Sequence, residues 1–215
     1  MCGRYASSRP ADELASTFGV RVSDAEELAP SWNVAPTDPV PAVLPEQLRT
    51  VRWGLVPPWA EDPRVGSRFI NARSETVADR PAFRRAFASR RCLLPADGWY
   101  EWCDGRAYYL HPTEGPGLAF AGVYELWHGS LWTAAVITRP ATDELVWLHD
   151  RMPVPIRPER WADWLDPAFD REEMLAMLRP PATGSITVRP VGPAVGDVRN
   201  NGPDLVRPWS EPVLF

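Results

Sequence analysis

Residues 91–138 read RCLLPADGWYEWCDGRAYYLHPTEGPGLAFAGVYELWHGSLWTAAVIT, and they carry the clearest structural signal in the chain. Short runs rich in apolar and aromatic residues follow one another closely here, at residues 91–94, 98–102, 106–110, 118–125 and 131–138. Turn-forming pairs such as Asp104-Gly105 and His128-Gly129 stand between them. Strands with this spacing predict an antiparallel meander or a barrel.

The flanking segments predict more strands and several short helices. We expect strands at residues 40–44, 49–53 and 185–191. We expect helices at residues 10–18, 81–89, 142–148, 158–165 and 170–178, the second of them basic and amphipathic and the last capped by Asp170. The predicted fold class is therefore α+β. One domain would span residues 1–215, with a curved antiparallel β-barrel-like core, flanking helices and a wrapping C-terminal tail at 192–215.

The composition excludes several classes of protein. No run of about 18 apolar residues could span a membrane, and the N-terminus lacks the features of a signal peptide, so we expect a cytoplasmic protein. Three cysteines and three scattered histidines show neither CxxC nor HExxH spacing, which predicts no disulfide framework and no metal site. We expect a monomer without a metal or an organic cofactor.

The distribution of charge indicates a polyanionic partner, although the net charge of −5 by itself does not. All 23 basic residues are arginines, and eight of them lie within residues 64–91 beside only two acidic residues. The planar guanidinium group suits phosphate, and a local basic zone can bind a polyanion on an acidic protein. Genomic base composition explains the absence of lysine equally well, so the clustering is the stronger indication.

The chain begins Met1-Cys2-Gly3-Arg4, and a small residue after the initiator favours removal of Met1. Cys2 would then carry a free α-amine, with a reference pKa near ~8, next to a thiol near ~8.5. This 1,2-aminothiol can condense with an aldehyde and close to a thiazolidine. Alternatively, its thiol can attack an acyl carbon with the amine as base. From this dipeptide alone, an ordinary packed or disordered terminus is the better interpretation.

Two further residues are candidates for proton transfer. Glu101 stands between large aromatic residues, and burial there would raise its pKa toward neutrality. Strand alternation allows Glu101 to face outward equally well. His149 follows an apolar run and precedes a proline-containing segment, where a buried histidine can act as acid or base. A single histidine is more often an ordinary core residue.

Other polar and aromatic residues are candidates for binding a nucleic acid. Asn71 and Arg73 are two residues apart on a predicted strand face, where an amide could hold a hydroxyl and a guanidinium a phosphate. Arg52 and Trp59 flank a proline-stiffened loop, and exposed aromatic residues near arginine stack on the bases of single strands. With Arg4, we expect Arg52 and Arg73 to contact phosphates and Trp59 to stack on a base.

Six short motifs occur in order along nearly the whole chain. They are MCGRY (1–5), WNVAPT (32–37), RWGLVP (52–57), NARSE (71–75), CLLPADGWYEW (92–102) and HDRMP (149–153). Together they resemble the SOS response-associated peptidase (SRAP) family, whose members are abasic-site processing proteins. Some positions depart from the family pattern, such as Pro58 before Trp59 and Asn201 before Gly202, and none of these departures falls on a matched catalytic residue.

The resemblance implies the fold, the partner and the chemistry. It implies a barrel-like core with a positively charged groove that binds single-stranded DNA containing abasic sites, in the cytoplasm and on the nucleoid. The catalytic residues of the family fall on Cys2, Asn71, Glu101 and His149. The implied activities are a thiazolidine crosslink formed by Cys2, a self-processing peptidase that removes Met1, and lyase-type cleavage. We predict Arg4, Arg52, Trp59 and Arg73 as the DNA-binding residues.

Two alternative functions remain compatible with the sequence. One is an N-terminal-nucleophile glutamine amidotransferase, in which Cys2 attacks a carboxamide and its α-amine is the base. The other is a non-catalytic single-stranded DNA binder in which Cys2 has no chemical role.

Overall fold

The computed structural model describes residues 2–25, 28–115, 117–179 and 186–210, and within these ranges it contains two β-sheets flanked by short helices. In chain order the strands are β1 (Tyr5–Ser7), β2 (Arg21–Val22), β3 (Ser31–Val34), β4 (Pro39–Leu44), β5 (Gln47–Trp53), β6 (Asn71–Arg73), β7 (Arg91–Ala96), β8 (Gly98–Cys103), β9 (Arg106–Pro112), β10 (Leu118–Trp127), β11 (Leu131–Pro140), β12 (Arg151–Pro153) and β13 (Ile186–Val191). The α-helices are α1 (Ala11–Phe18), α2 (Arg84–Ser89), α3 (Trp161–Leu165) and α4 (Arg171–Met177).

Five strands close into a barrel. Strands β11, β10, β7, β4 and β5 are neighbours in that order, and β5 pairs again with β11. The closing pair is parallel, with Thr133 opposite Arg52 and Ala134 opposite Trp53, whereas the other joints are antiparallel. The predicted barrel is therefore confirmed, but its strand pairing is mixed. The expected antiparallel pairing holds at four of the five joints, and the closing joint is parallel.

The meander alternative was wrong, because β7 and β8 lie in different sheets. The chain leaves the barrel at Asp97, whose amide bonds to the Ala6 carbonyl and whose carboxylate accepts from the Ser8 amide. Gly98 then packs so closely on β9 that a Cβ atom would lie 2.4 Å from the Leu110 carbonyl oxygen. Strand β8 consequently joins the second sheet, whose order is β13-β9-β8-β1-β3.

The two hairpins of residues 91–138 are β8–β9 and β10–β11, and the predicted turn pairs form both. Asp104 and Gly105 have φ angles of 50° and 76°, which fits a two-residue hairpin loop. His128 and Gly129 have φ angles of 48° and 70°, and the Ser130 amide closes that turn onto the Trp127 carbonyl. The register of both hairpins therefore follows from short-range sequence signals.

The barrel strands alternate strictly between an inner and an outer face. On β11, Ala134 and Val136 pack with Cys2 in one apolar cluster. Ala135 and Ile137 pack in another cluster, which includes residues of the helices. Because the first cluster is built mainly from strands, we assign it to the barrel interior. The helices cover the outer face.

Most other predicted elements are confirmed, with small shifts of their ends. The basic helix predicted at 81–89 begins only at Arg84, and the segment predicted as 158–165 is a 3₁₀ turn followed by α3. Helix α4 is capped by the Asp170 carboxylate, which accepts from the Glu172 and Glu173 amides. Residue 185 of the last predicted strand, and residues 211–215 of the predicted tail, lie outside the described residues.

The helix predicted at 142–148 was wrong, because the segment forms two successive turns. The Leu145 amide bonds to the Thr142 carbonyl, and the Leu148 amide bonds to the Leu145 carbonyl. β11 and β12 are paired on either side, and the Ala141 amide bonds to the Asp150 carbonyl. Joining two paired strands over so few residues leaves no room for a longer helix.

In the parts of the chain that the structure describes, no helix is long and apolar enough to cross a membrane. Residues 197–201 of the predicted tail bond to the segment of the second sheet around β3. The Asn33 side chain donates to the Asp197 and Asn200 carbonyls, and the Asn201 amide group donates to the Pro30 carbonyl.

Arg91 is an internal structural residue, although it lies in the arginine-rich window. It is 1% exposed, and its guanidinium group donates to the carbonyls of Phe87, Ala88, Trp164 and Asp166. These bonds join α2, α3 and β7, and they satisfy carbonyls that the two short helices would otherwise leave unpaired.

We expect Arg91→Met to lower the free energy of unfolding by about 3 kcal/mol or more, because several buried carbonyls lose their donor. Urea denaturation followed by circular dichroism measures this. Arg84→Met, an exposed position on α2, is the matched control and should change stability by less than about 0.5 kcal/mol. Equal losses in the two variants would contradict the structural role of Arg91.

Candidate active site

Cys2 lies fully buried at one end of the barrel interior. It is 0% exposed and packs with Tyr5, Trp53 and Trp99 in the interior cluster. Strand β1, which follows it, is held between β3 and β8, so the segment next to Cys2 is fixed from both sides. Cys2 is therefore an ordered part of the core.

Asn71 contacts Cys2 directly. Its Nδ2 atom donates to the Cys2 carbonyl oxygen at 2.8 Å. Strand β6 pairs in parallel with β11, and Ala72 packs in the outer cluster, so Asn71 and Arg73 lie on the other face of this strand, which is one shared face as predicted. The Asn71 Oδ1 atom is buried, and no residue of the described ranges bonds to it. A buried amide oxygen in this position can accept a hydrogen bond from a substrate.

Glu101 faces the interior, which resolves the question that strand alternation left open. It is 5% exposed and lies on the same face of β8 as Trp99, whereas Trp102 is exposed. Burial raises the pKa of the Glu101 carboxyl to about 7, and the charge of Asp150 acts in the same direction. Near neutral pH this carboxyl can therefore both give and take a proton.

Glu101 and His149 line the same small cleft, together with Trp99, Leu110, Leu145, Leu148, Arg151 and Met152. His149 is half-buried. Its Nδ1 atom lies 2.9 Å from the Arg151 amide nitrogen and 2.8 Å from Asp150 Oδ1. Burial lowers the pKa of His149, which favours the neutral ring.

Burial raises the pKa of the Cys2 thiol well above its usual range, and the negative charge of Glu101 raises it further. The thiol is therefore protonated at neutral pH, and a reaction at sulfur needs a base beside it. Glu101 is the carboxylate whose charge reaches Cys2, and its pKa of about 7 suits that task.

Glu75 and Arg151 connect the Asn71 and His149 segments, and the sequence reasoning did not identify them as site residues. The Arg151 guanidinium forms a two-pronged ion pair with the Glu75 carboxylate and donates to the Thr138 carbonyl at 2.7 Å. This pair lowers the pKa of Glu75 to about 2. The sequence did contain a signal for them, because Glu75 lies in the same motif as Asn71 and Arg151 lies in the same motif as His149.

The predicted DNA-binding residues differ in their exposure and in their contacts within the protein. Arg73 is exposed at the end of β6, close in sequence to Asn71. Arg52 is half-buried on β5 and donates to the Pro63 carbonyl at 3.3 Å. Arg4 donates to the Asn33 side chain and the Val195 carbonyl, both at 2.8 Å, so it also supports the fold.

Trp59 is 59% exposed on a loop that is firmly attached to the barrel. Gly54 and Gly66 hold the loop, because a Cβ atom on Gly66 would lie 2.5 Å from the Gly54 carbonyl oxygen. The Trp127 indole donates to the Ala60 carbonyl at 2.9 Å. The Trp59 ring is therefore presented to solvent from a well-supported position.

The arginine-rich window is less basic at the surface than its sequence indicates. Arg91 is internal, Arg90 pairs with Glu125 at 2.7 Å, and Arg64 pairs with Asp62 at 2.7 Å. The remaining arginines of the window are exposed; they are Arg68, Arg73, Arg80, Arg84 and Arg85. Across the described ranges, no three histidine, cysteine or acidic side chains are grouped as a metal site would require.

The raised pKa of Glu101 predicts that the stability of the protein depends on pH. The folded carboxyl titrates near pH 7, whereas the ordinary value is 4.5, so folding takes up a proton between these values. The resulting contribution to the free energy of unfolding is fully present below about pH 4.5 and is lost as the pH rises through 7. Relative to Glu101→Gln, the wild-type free energy of unfolding should fall by up to about 3 kcal/mol over that window.

Urea denaturation of both proteins at a series of pH values from 4.5 to 8 measures this difference. The glutamine keeps the size of the side chain and removes its titration, so other titrating groups cancel in the comparison. Parallel stability profiles for the two proteins would show that Glu101 titrates normally.

The chain is similar to known proteins over nearly its whole length. Residues 1–198 match the sequence profile of the SOS response associated peptidase (SRAP) family. Abasic site processing protein YoqW of Bacillus subtilis (strain 168) is 34% identical over 221 residues, covering 96% of this chain and 99% of its own. Abasic site processing protein HMCES of Xenopus tropicalis is 27% identical, covering 96% of this chain and 78% of its own.

The same fold occurs in a solved structure. The crystal structure of a protein from Bacteroides thetaiotaomicron superposes with a TM-score of 0.86 at 22% sequence identity, covering 97% of this chain and all of that one. The match of the family profile to nearly the whole chain, together with the relatives in sequence and fold, establishes the family. The chain belongs to the SOS response associated peptidase (SRAP) family.

Proposed function

We propose that the protein processes abasic sites in single-stranded DNA by forming a covalent thiazolidine with Cys2 after Met1 has been removed. The observation that carries this proposal is the buried Cys2, to which Asn71 donates a hydrogen bond and which the charge of Glu101 reaches, with His149 in the same cleft as Glu101. The names of the curated relatives, which are abasic site processing proteins, support the choice of substrate.

In the proposed reaction, the nitrogen and the sulfur of Cys2 both become bonded to the same carbon atom. The α-amine attacks the C1′ aldehyde of the ring-opened deoxyribose, and loss of one water molecule gives an imine. The thiol then adds across the C=N bond, so that sulfur bonds to C1′ and the thiol proton ends on nitrogen. The sequence is neither oxidative nor reductive and needs no co-reactant.

The three surrounding side chains suit the proton transfers of this sequence. Glu101, with a pKa of about 7, can protonate the departing hydroxyl group and then accept the thiol proton. His149 can exchange a proton with the sugar ring oxygen as the ring opens. Asn71 orients the Cys2 backbone through its carbonyl and retains a buried acceptor for a sugar hydroxyl.

Two further reactions belong to the same proposal. Hydrolysis of the peptide bond before Cys2 consumes one water molecule, releases methionine and frees the α-amine on which the imine depends. The imine can also undergo β-elimination, in which a C2′ proton leaves and the C3′–O bond breaks, which cuts the strand. The first is the proposed peptidase activity and the second the proposed lyase activity.

The DNA strand is proposed to contact Arg73 and Trp59, whose side chains are exposed. Arg73 is exposed two residues from Asn71, and Trp59 is held open to solvent on a rigid loop. Arg52 and Arg4 have partners within the protein, so we assign them supporting phosphate contacts. Stacking accepts any neighbouring base, so recognition should tolerate any sequence around the missing base.

Cys2→Ser should abolish the heat-stable crosslink to abasic single-stranded DNA, because an N-terminal serine has no thiol to form the thiazolidine. A denaturing gel and intact mass spectrometry measure the adduct, whose mass should equal protein plus DNA minus one water. Cys103→Ser, which removes a half-buried thiol elsewhere, is the matched control and should crosslink normally.

The same experiment separates the alternatives. An undiminished crosslink from Cys2→Ser, or an adduct on protein that retains Met1, would refute the thiazolidine. Ammonia release from glutamine would favour an amidotransferase. Equal affinity for abasic and intact strands without any covalent product would favour a non-catalytic binder.

Trp59→Ala should weaken binding of an intact single strand by roughly 5- to 150-fold, because one base loses a stacking contact of about 1–3 kcal/mol. Fluorescence anisotropy at one fixed salt concentration measures the affinity. Trp147→Ala removes another indole that is 54% exposed, and it should bind the strand as the wild type does. Equal effects of the two substitutions would contradict a specific role of Trp59.

A further inference from the structure

Glu75 and Arg151 form an ion pair that crosses strand β11 beside the proposed reaction centre. Thr138 of β11 pairs with β6 and also with β12, so these two strands lie on opposite edges of β11. Glu75 follows β6, and Arg151 begins β12. The ion pair therefore joins the strand that carries Asn71 to the segment that carries His149.

Several contacts hold this ion pair in place. The two Nη atoms of Arg151 donate to the two carboxylate oxygens of Glu75, and Nη2 also donates to the Thr138 carbonyl at 2.7 Å. The same carbonyl accepts from the Ser74 amide at 2.8 Å, and the Ser74 hydroxyl donates to Glu75 at 3.0 Å. The side chain of Arg151 is 11% exposed and that of Glu75 is 46% exposed. The guanidinium group is thus fixed against β11, and its counter-charge faces solvent.

Arg151 belongs to the wall of the cleft that holds Glu101 and His149. Its main chain also contacts the histidine, because the Arg151 amide nitrogen lies 2.9 Å from His149 Nδ1. The other residues that line the cleft are apolar; they are Trp99, Leu110, Leu145, Leu148 and Met152. Apolar surroundings screen charges weakly, so the charge of Arg151 acts on both candidate proton carriers.

The charges around His149 show why Arg151 needs a counter-charge. Burial lowers the pKa of His149, the charges of the amino terminus and of Arg151 lower it further, and the adjacent Asp150 opposes them. Glu101 faces the same cleft from β8. A guanidinium cation disfavours a second cation beside it, so an unbalanced Arg151 would suppress protonation of His149. Glu75 supplies the balancing charge without lining the cleft itself.

We propose that Glu75 is a positioning residue of the reaction centre and acts on His149 through Arg151. Its carboxylate holds the guanidinium group on β11 and offsets the positive charge that Arg151 presents to the cleft. The importance of this effect for catalysis rests on the proposed function, in which His149 exchanges a proton with the sugar. A clamp with a purely structural role would hold the strands together but would not set the titration of His149.

The titration of His149 in the full-length protein, without DNA, tests this proposal. NMR follows the imidazole Cε1–H resonance of His149 from about pH 4 to about pH 8, and the resonance is identified by its absence from the spectrum of His149→Gln. Glu75→Gln should lower the titration midpoint by about half a pH unit or more, because the charge of Arg151 then acts on the ring without its counter-charge. Arg151→Met should raise the midpoint, because it removes the cation itself.

Two further variants are the controls for net charge and for side-chain shape. Asp79→Asn removes the acidic partner of an exposed pair with Arg171 at 3.2 Å. It changes the net charge as Glu75→Gln does, and it should leave the His149 midpoint unchanged. Glu75→Asp keeps the charge on a shorter side chain, and its midpoint should lie closer to that of the wild type than the midpoint of Glu75→Gln does.

The crosslinking reaction gives a second readout, which depends on the proposed function. The pH profile of the crosslinking rate should move to lower pH in Glu75→Gln, in the same direction as the His149 midpoint. If the wild-type protein forms no crosslink, the proposed function fails, whereas the titration without DNA still decides the role of Glu75.

An unchanged or raised His149 midpoint in Glu75→Gln would overturn the proposal. A rise in both Glu75→Gln and Arg151→Met would show that the pair only holds the structure, because loosening the site moves the pKa of His149 toward its ordinary value in each variant. If Arg151→Met does not fold, Glu75→Gln and its two controls decide the result.

Discussion

The parallel pairing of β5 with β11 closes the barrel and determines where both of its faces lie. Strand β11 bonds to β10, β12, β5 and β6, so four strands take their positions from it. The parallel contact with β5 turns an open sheet into a barrel with two distinct faces. Without this closure, the interior that receives Cys2 and the outer face that the helices cover would not exist.

Because the barrel has an inner and an outer face, its polar residues have very different surroundings. Inside, Asn71 reaches Cys2 because β6 runs beside β11 in the same direction. Outside, helices cover the barrel, and their carbonyls give Arg91 its partners. The surroundings of a charged or polar side chain therefore depend on which face of the strand it occupies as much as on its residue type.

The sequence predicted the elements whose signals are local, and it failed where distant contacts decide. The turns at Asp104-Gly105 and His128-Gly129 fixed two hairpins correctly. The exchange of sheets at Asp97 and the turns of 142–148 depend on strands that pair far along the chain, and no nearby residue encodes them. Glu101 shows the same limit, since alternation names two faces but not which one is inside. The arginine window was overestimated because composition cannot separate Arg91, which is buried, from Arg73, which is exposed.

The burial of Cys2 has a consequence for the order of events during synthesis. Cys2 is synthesised before its partners, because the amide that holds it belongs to a residue 69 positions later, and His149 follows much later still. Under the proposed reaction, a nascent chain therefore carries Cys2 without the side chains that would handle its protons. Completion of the barrel brings Asn71 to Cys2 and buries the thiol.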